Sequence, residues 1–258
     1  MKKGLIISLS LIVMLSIILS GCSKQSTLSR VKKSGVIVMG TSADFQPFEF
    51  HKLVNGKDTI MGFDVDLANA IAKKLGVKLE IKDIDFTGLI PALQSGQIDM
   101  AIAGMNATPD RKKNVDFSDE YYNSEQVLVV KSSSSINNLK DLNGKTVAVQ
   151  LGTTSDDAAK KIKGINLNEL NRLGDAFLSL ENGRVDAILM ESTIANAYLK
   201  EYKDMKMLHV KEINEAVPGY SVAVAKGNQD LVNQINSVIK ELKDSGEYGK
   251  MLNKWMGK

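Results

Sequence analysis

One ten-residue pattern occurs twice in this chain, and it limits the folds open to the sequence more than any other feature. Leu93-Gln94-Ser95-Gly96-Gln97-Ile98-Asp99-Met100-Ala101-Ile102 is answered by Leu180-Glu181-Asn182-Gly183-Arg184-Val185-Asp186-Ala187-Ile188-Leu189. In both copies a helix-like segment is stopped at glycine and gives way to a short apolar run. A second pair agrees: Val36-Ile37-Val38-Met39-Gly40-Thr41 returns as Val147-Ala148-Val149-Gln150-Leu151-Gly152-Thr153, one residue longer. Each first copy lies before residue 105 and each second copy after 145. Self-similarity at that separation predicts two lobes of one plan. Short apolar runs alternating with helical periods predict mostly parallel sheets, with ligand chemistry at the strand C-termini.

Composition narrows the function. The 258 residues are 43% hydrophobic and 24% charged, as in an ordinary globular protein. The formal charge of +3 falls to +1 once Lys2 and Lys3 are set aside, which gives no case for nucleic acid. The one cysteine, Cys22, excludes a disulfide framework and a cysteine-cluster metal site. Residues 1–22 read as a signal peptide: Lys2 and Lys3 precede the apolar run Leu5 to Leu19, which is short for a span of about 20 residues. Its end, Leu19-Ser20-Gly21-Cys22, resembles the bacterial lipoprotein cleavage box, which implies lipidation of Cys22 and a firm membrane anchor. Residues 23–35 are polar and read as a tether.

The predicted elements follow in order. Val36 to Met39 is a buried strand, followed by an aromatic loop, Asp44 to Phe50. Asp64 to Leu75 is a helix with Leu67, Ile71 and Leu75 on one face, stopped by Gly76 and capped by Asp64 and Asp66. Gln126 to Lys131 and Tyr220 to Lys226 read as the strands that cross between lobes. Asn228 to Lys258 is a helix pair, with Leu231, Ile235, Val238, Ile239 and Leu242 on one face and Trp255 packing near the end. Asp157 to Ile162 is helical, preceded by Thr153, Thr154, Ser155 and Asp156; the free N–H groups of its first turn suit a carboxylate, while the Ser, Thr and Asp side chains serve simple capping, and both can hold at once.

The stretch Asp99 to Arg111 carries the chemistry. Gly104 permits close backbone approach, Asn106 and Thr108 offer hydrogen bonds, and Pro109 fits the first turn of a helix. Arg111 presents a planar fork suited to a carboxylate; the alternative is a solvated charge in the run Arg111-Lys112-Lys113. Glu191 follows a buried run, where it either finds a cationic partner or ends the strand in solvent. Phe86 is either a ligand contact or core. His51 and His209 have no acidic or cysteine neighbours at metal spacing and read as surface residues.

Several stretches together resemble one family, the polar amino acid solute-binding proteins of ABC importers. They are Ala43 to Phe50, Gly62 to Ala68, Gly88 to Gly96, Arg111 to Ser118, Gly152 to Thr154 and Gly183 to Ala187. The resemblance implies a two-lobed α/β fold, periplasmic-binding-protein-like of type II. Each lobe would be a mostly parallel sheet flanked by helices, joined by a two-strand hinge. Residues 36–124 and 221–258 would form lobe 1 and residues 125–220 lobe 2. It implies a monomer without metal or cofactor, and not an enzyme. Such a protein would sit lipid-anchored on the extracytoplasmic face of a Gram-positive cell membrane and deliver a polar L-amino acid to permease and ATPase subunits. In that family an arginine at the position of Arg111 clamps the α-carboxylate, joined by backbone N–H groups at Asn106 and Thr154. An acid at Glu191 takes the α-ammonium, and aromatics at Phe86 and Phe45 pack on the side chain. Ser42 and Gly104, at two strand ends, complete the expected site. The family usually has Ser or Thr at Asn106 and Asp at Glu191. Members taking lysine or arginine often carry an acid near Ser42, which is absent here; Asp44, Asp85 or Glu125 could substitute. Basic amino acids, glutamine, histidine and cystine all stay open. The rivals are a dehydratase-like enzyme on the same scaffold, with Glu191 as general acid, and a surface adhesin or sensor.

Overall fold

The computed structural model describes residues 26–213 and 217–257, so Cys22 and the signal segment lie outside the described residues. Two five-stranded sheets carry the fold. The first has the order β5 (Lys78–Asp83), β1 (Val36–Thr41), β6 (Met100–Ala101), β13 (Tyr220–Ala225), β7 (Val115–Tyr122). The second has β10 (Asn166–Leu170), β9 (Thr146–Gln150), β11 (Ala187–Glu191), β8 (Gln126–Lys131), β12 (Met205–His209). In the first sheet β1 runs parallel to β5 and β6, and β13 opposes both its neighbours. In the second, β9 runs parallel to β10 and β11, and β8 opposes both its neighbours. The two sheets are one topology built twice.

The repeated sequence pattern has a physical cause. In the first copy Asp99 accepts the Val38 N–H at 2.8 Å and donates its own N–H to the Val38 carbonyl at 2.8 Å. In the second, Asp186 makes the same pair with Thr146, again at 2.8 Å each. Each aspartate ties the start of its own strand to the parallel strand beside it, β1 or β9. The glycine before it, Gly96 or Gly183, takes left-handed φ of 73° or 69° to leave α3 (Leu89–Ser95) or α6 (Leu173–Glu181).

The helices pack as the periodicity requires. α2 (Phe63–Leu75) buries Leu67, Ala68, Ile71 and Ala72, and α8 (Gln229–Asp244) buries Leu231, Ile235, Val238 and Ile239. In α9 (Glu247–Met256) the Trp255 indole donates to Asp66 at 2.6 Å, and its ring meets Phe50 edge-on.

Four expectations change. Gln126–Lys131 and Tyr220–Ala225 do not run between the lobes. Each is the strand that follows a crossing, taken into its own sheet because its apolar residues need two covered faces. The polar stretch 23–35 carries a helix over its described part, α1 (Thr27–Ser34), which buries Val31 and pairs Arg30 with Asp99 at 2.6 Å. The helix read over Asp157 to Ile162 is α5 (Thr154–Ala159), because the Thr153 hydroxyl accepts the Asp156 N–H and starts it there. Asp64 and Asp66 do not cap α2, whose start is Gly62 with no side-chain cap.

A small antiparallel sheet completes the first lobe: β2 (Asp44–Phe45), β3 (Glu49–Val54) and β4 (Lys57–Met61). Asn55 and Gly56, at φ of 52° and 77°, form the tight turn between β3 and β4.

Candidate ligand-binding site

The parallel strands of both sheets end at one narrow cavity. Ser42 reaches it from the end of β1, Phe45 from β2, Glu49 from the start of β3, and Phe86 from the turn before α3. Ala103, Gly104 and Asn106 follow β6, while Gln150, Thr153 and Glu191 close the second-lobe wall. Ligand sites at the carboxyl ends of parallel strands are the rule in such sheets.

Of the expected site residues, Ser42, Phe45, Phe86, Gly104, Asn106 and Glu191 line this cavity. Arg111 and Thr154 stand at its edge, tied to the wall by hydrogen bonds. The Thr154 hydroxyl donates to Asn106 Oδ1 at 3.1 Å and accepts from Gln126 Nε2 at 3.1 Å. Gly104 has φ 55°, and a Cβ there would stand 2.4 Å from a Phe45 ring carbon. Glycine is therefore required for Phe45 to reach the wall.

Arg111 sits on α4 (Pro109–Asn114), which Thr108 caps with its hydroxyl. Its Nη1 donates to the Asn106 carbonyl and its Nη2 to the Gly152 carbonyl, both at 2.9 Å, and the guanidinium lies 5.1 Å over the Phe86 ring. A guanidinium has five donors, so those two bonds leave others free. Among the described residues no carboxylate lies within ion-pair distance of it. Burial pushes its pKa down against the pull of Asp157 and Glu191, the mark of a cation short of an anion.

The opposite charge is short of a cation. Glu191 is 6% exposed, and burial pushes its carboxyl up to about 7, against its own backbone N–H, the Arg111 charge and the Thr154 hydroxyl. Were Glu191 to hold a ligand's ammonium group, it would have to release its proton, and affinity would fall as pH falls through about 7. Calorimetry in buffers of different ionisation enthalpy is expected to show that release between pH 6 and 8; a flat affinity profile with none would remove Glu191 from this role.

Glu49 is the residue that sequence reasoning missed. It is fully buried, and among the described residues no N–H or hydroxyl reaches its oxygens; its side-chain partner is the Asp64 carboxyl, with which it shares a hydrogen bond. Burial first, and then the neighbouring Asp64 carboxylate, push its pKa well above the usual range. Asp64 points inward and accepts the Tyr121 hydroxyl at 2.7 Å and the Gly104 N–H at 3.1 Å, which accounts for its not capping α2. Burial raises Asp64 to about 6 in spite of those two bonds. The Ser42 hydroxyl, also on the wall, has no hydrogen-bond partner among the described residues.

The acids suggested as substitutes near Ser42 lie elsewhere. Asp85 pairs with Arg172 at 3.0 Å, Glu125 with His209 at 2.7 Å, and Asp44 receives the Leu173 N–H at 2.6 Å. Both histidines thus do have acidic neighbours, His51 contacting Asp58 and Asp83, but each remains at the surface. No metal-binding cluster occurs among the described residues.

Two sheets of one plan that close on a half-buried cation and buried acids define a two-lobed α/β receptor for a small solute. The chain belongs to the bacterial extracellular solute-binding proteins, family 3, which match over residues 37–258. It is therefore a binding protein of transport and not an enzyme. It is 38% identical over 258 residues to the arginine-binding extracellular protein ArtP of Bacillus subtilis (strain 168), covering 99% of this chain and 98% of that one. It is 65% identical, with a TM-score of 0.84, to a crystal structure of the substrate-binding protein of an amino acid ABC transporter, covering 86% of this chain and all of the other. An L-arginine-bound substrate-binding protein from Streptococcus pneumoniae is 34% identical at a TM-score of 0.85, covering 89% and 97%.

Proposed function

We propose that this protein is the lipid-anchored receptor of an amino acid ABC importer and that its ligand is a basic L-amino acid, arginine first. Glu49 carries that reading: a buried carboxyl on the cavity wall, held neutral beside Asp64 and reached by no N–H or hydroxyl among the described residues, is placed to ionise against a cation brought by the ligand. Arg111 takes the α-carboxylate, joined by N–H groups at Asn106 and Thr154. Glu191 takes the α-ammonium, Phe45 and Phe86 hold the aliphatic stem near Gly104 and Ser42, and Glu49 meets the distal charge. The arginine-binding and arginine-bound relatives support the assignment.

Residues 36–124 with 221–258 close against 125–220 about the crossings beside β8 and β13. Ligand contacts from both lobes shift the open–closed balance by differential affinity. Charge-assisted bonds contribute about 1.5–3 kcal/mol each, so several offset desolvation and ordering to leave about −8 kcal/mol at micromolar affinity. The protein acts as a monomer on the extracytoplasmic face of a Gram-positive membrane, held by lipid on Cys22 beyond the tether, and passes its ligand to permease and ATPase subunits.

Calorimetry of the mature chain against arginine, lysine, ornithine, glutamine, histidine and cystine is expected to rank arginine tightest. A neutral amino acid binding as tightly would overturn the ligand. Cys22→Ala is expected to move the protein from the membrane fraction into the medium, and retention on the membrane would refute the anchor.

A further inference from the structure

Beside the cavity lies a set of cross-lobe contacts that none of the ligand-binding residues supplies. Helix α6 starts at Arg172, whose side chain caps nothing in its own helix. Its first N–H, on Leu173, instead donates to Asp44 Oδ2 of the opposite lobe at 2.6 Å. The Tyr198 hydroxyl donates to the Asp44 carbonyl at 2.8 Å. Arg172 reaches back across, its Nη1 to Asp83 and its Nε to Asp85, each at 3.0 Å, while Asn171 bonds Asp85 at 3.3 Å. Asp83 is itself held by the Ala43 N–H at 3.0 Å. Asp44, Asp83, Asp85 and Arg172 are absent from the cavity wall.

Opening the jaw would uncap the helix and strip Arg172 of both carboxylates, whatever ligand is bound. We propose that Asp44 and Arg172 form a latch between the lobes that sets the closing equilibrium, and so the affinity, without touching the ligand. The latch rests on the hinged, two-lobed reading above. A helix N-terminus is well capped by Asp or Asn and poorly by Ala, so Asp44 acts as a cap lent by one lobe to the other. Because apparent affinity scales with the population of the binding-competent form, loss of the latch weakens every ligand by one common factor.

The test compares Asp44→Ala, Asp44→Asn and Arg172→Ala with the parent chain. Calorimetry with arginine and with lysine is expected to show both affinities lowered by the same factor, about 3- to 30-fold, in the two alanine variants. Asp44→Asn is expected to recover most of the loss, since asparagine still accepts the Leu173 N–H. Small-angle scattering of the ligand-free chain is expected to show a larger radius of gyration in the alanine variants, with melting temperatures reporting that they are folded. Unchanged affinity and radius would overturn the latch, as would an altered arginine-to-lysine ratio, which would place these residues in ligand contact. If the parent chain bound no amino acid, the reading of function would fall while scattering still decided the latch.

Discussion

Arg111→Ala is expected to abolish amino acid binding, lowering affinity by at least about a hundredfold, because one truncation removes the counter-charge and the fork that orients the α-carboxylate. The loss should be the same for every amino acid the protein takes, since the α-carboxylate is common to all. Arg111→Lys should recover only part of it: the ammonium keeps the charge but cannot keep both carbonyl bonds, to Asn106 and Gly152, and also meet an acid in two parallel bonds. The fold should survive. Arg111 sits on a short surface helix and is only half-buried, and nothing in either sheet depends on it. Calorimetry with circular dichroism on the same samples checks both halves, and an alanine variant within about threefold of the parent would remove Arg111 from the site.

How much of this site could be read in the sequence depended on whether a residue's local signal agreed with its tertiary role. The doubled pattern at Asp99 and Asp186 was legible because both aspartates bond the neighbouring strand in the same way, so identical geometry demands identical residues. Arg111 was legible because glycine, small polar residues, proline and arginine stood together at a strand end. Asp64 was misread because an acid in a first helical turn ordinarily serves the helix. Here Gly62 turns the chain at φ 141°, and a Cβ at that position would stand 2.0 Å from the Phe48 carbonyl oxygen. Asp64 is thereby directed at Tyr121 and Gly104. Glu49 was hidden for a different reason. Its neighbours Phe48 and Phe50 made the segment read as an aromatic loop. The Asn55-Gly56 turn makes a hairpin of the stretch and fixes which strand face looks inward. One residue of register decides whether a glutamate in such a strand faces solvent or a cavity.

That register makes Glu49→Gln the most informative single change for selectivity. The substitution keeps the side-chain volume and leaves an amide that can still bond, so the cavity should keep its shape. What it removes is the capacity to ionise. Beside Asp64, a neutral Glu49 is the expected state of the buried pair, and the arrival of a guanidinium or ammonium favours its deprotonation because an opposite charge at close range stabilises the carboxylate. Truncating one side of a desolvated ion pair typically costs about 3–5 kcal/mol, and the amide returns part of that, so arginine affinity is expected to fall about 30- to 1000-fold. Glutamine has no distal charge to lose, and its affinity should stay within about threefold or improve. The proton released on arginine binding should fall in parallel, leaving the share due to Glu191. Competition calorimetry with arginine and glutamine on the parent and variant reads the ratio directly. If both ligands weakened equally, Glu49 would be a packing residue and the distal cation would have to be held elsewhere.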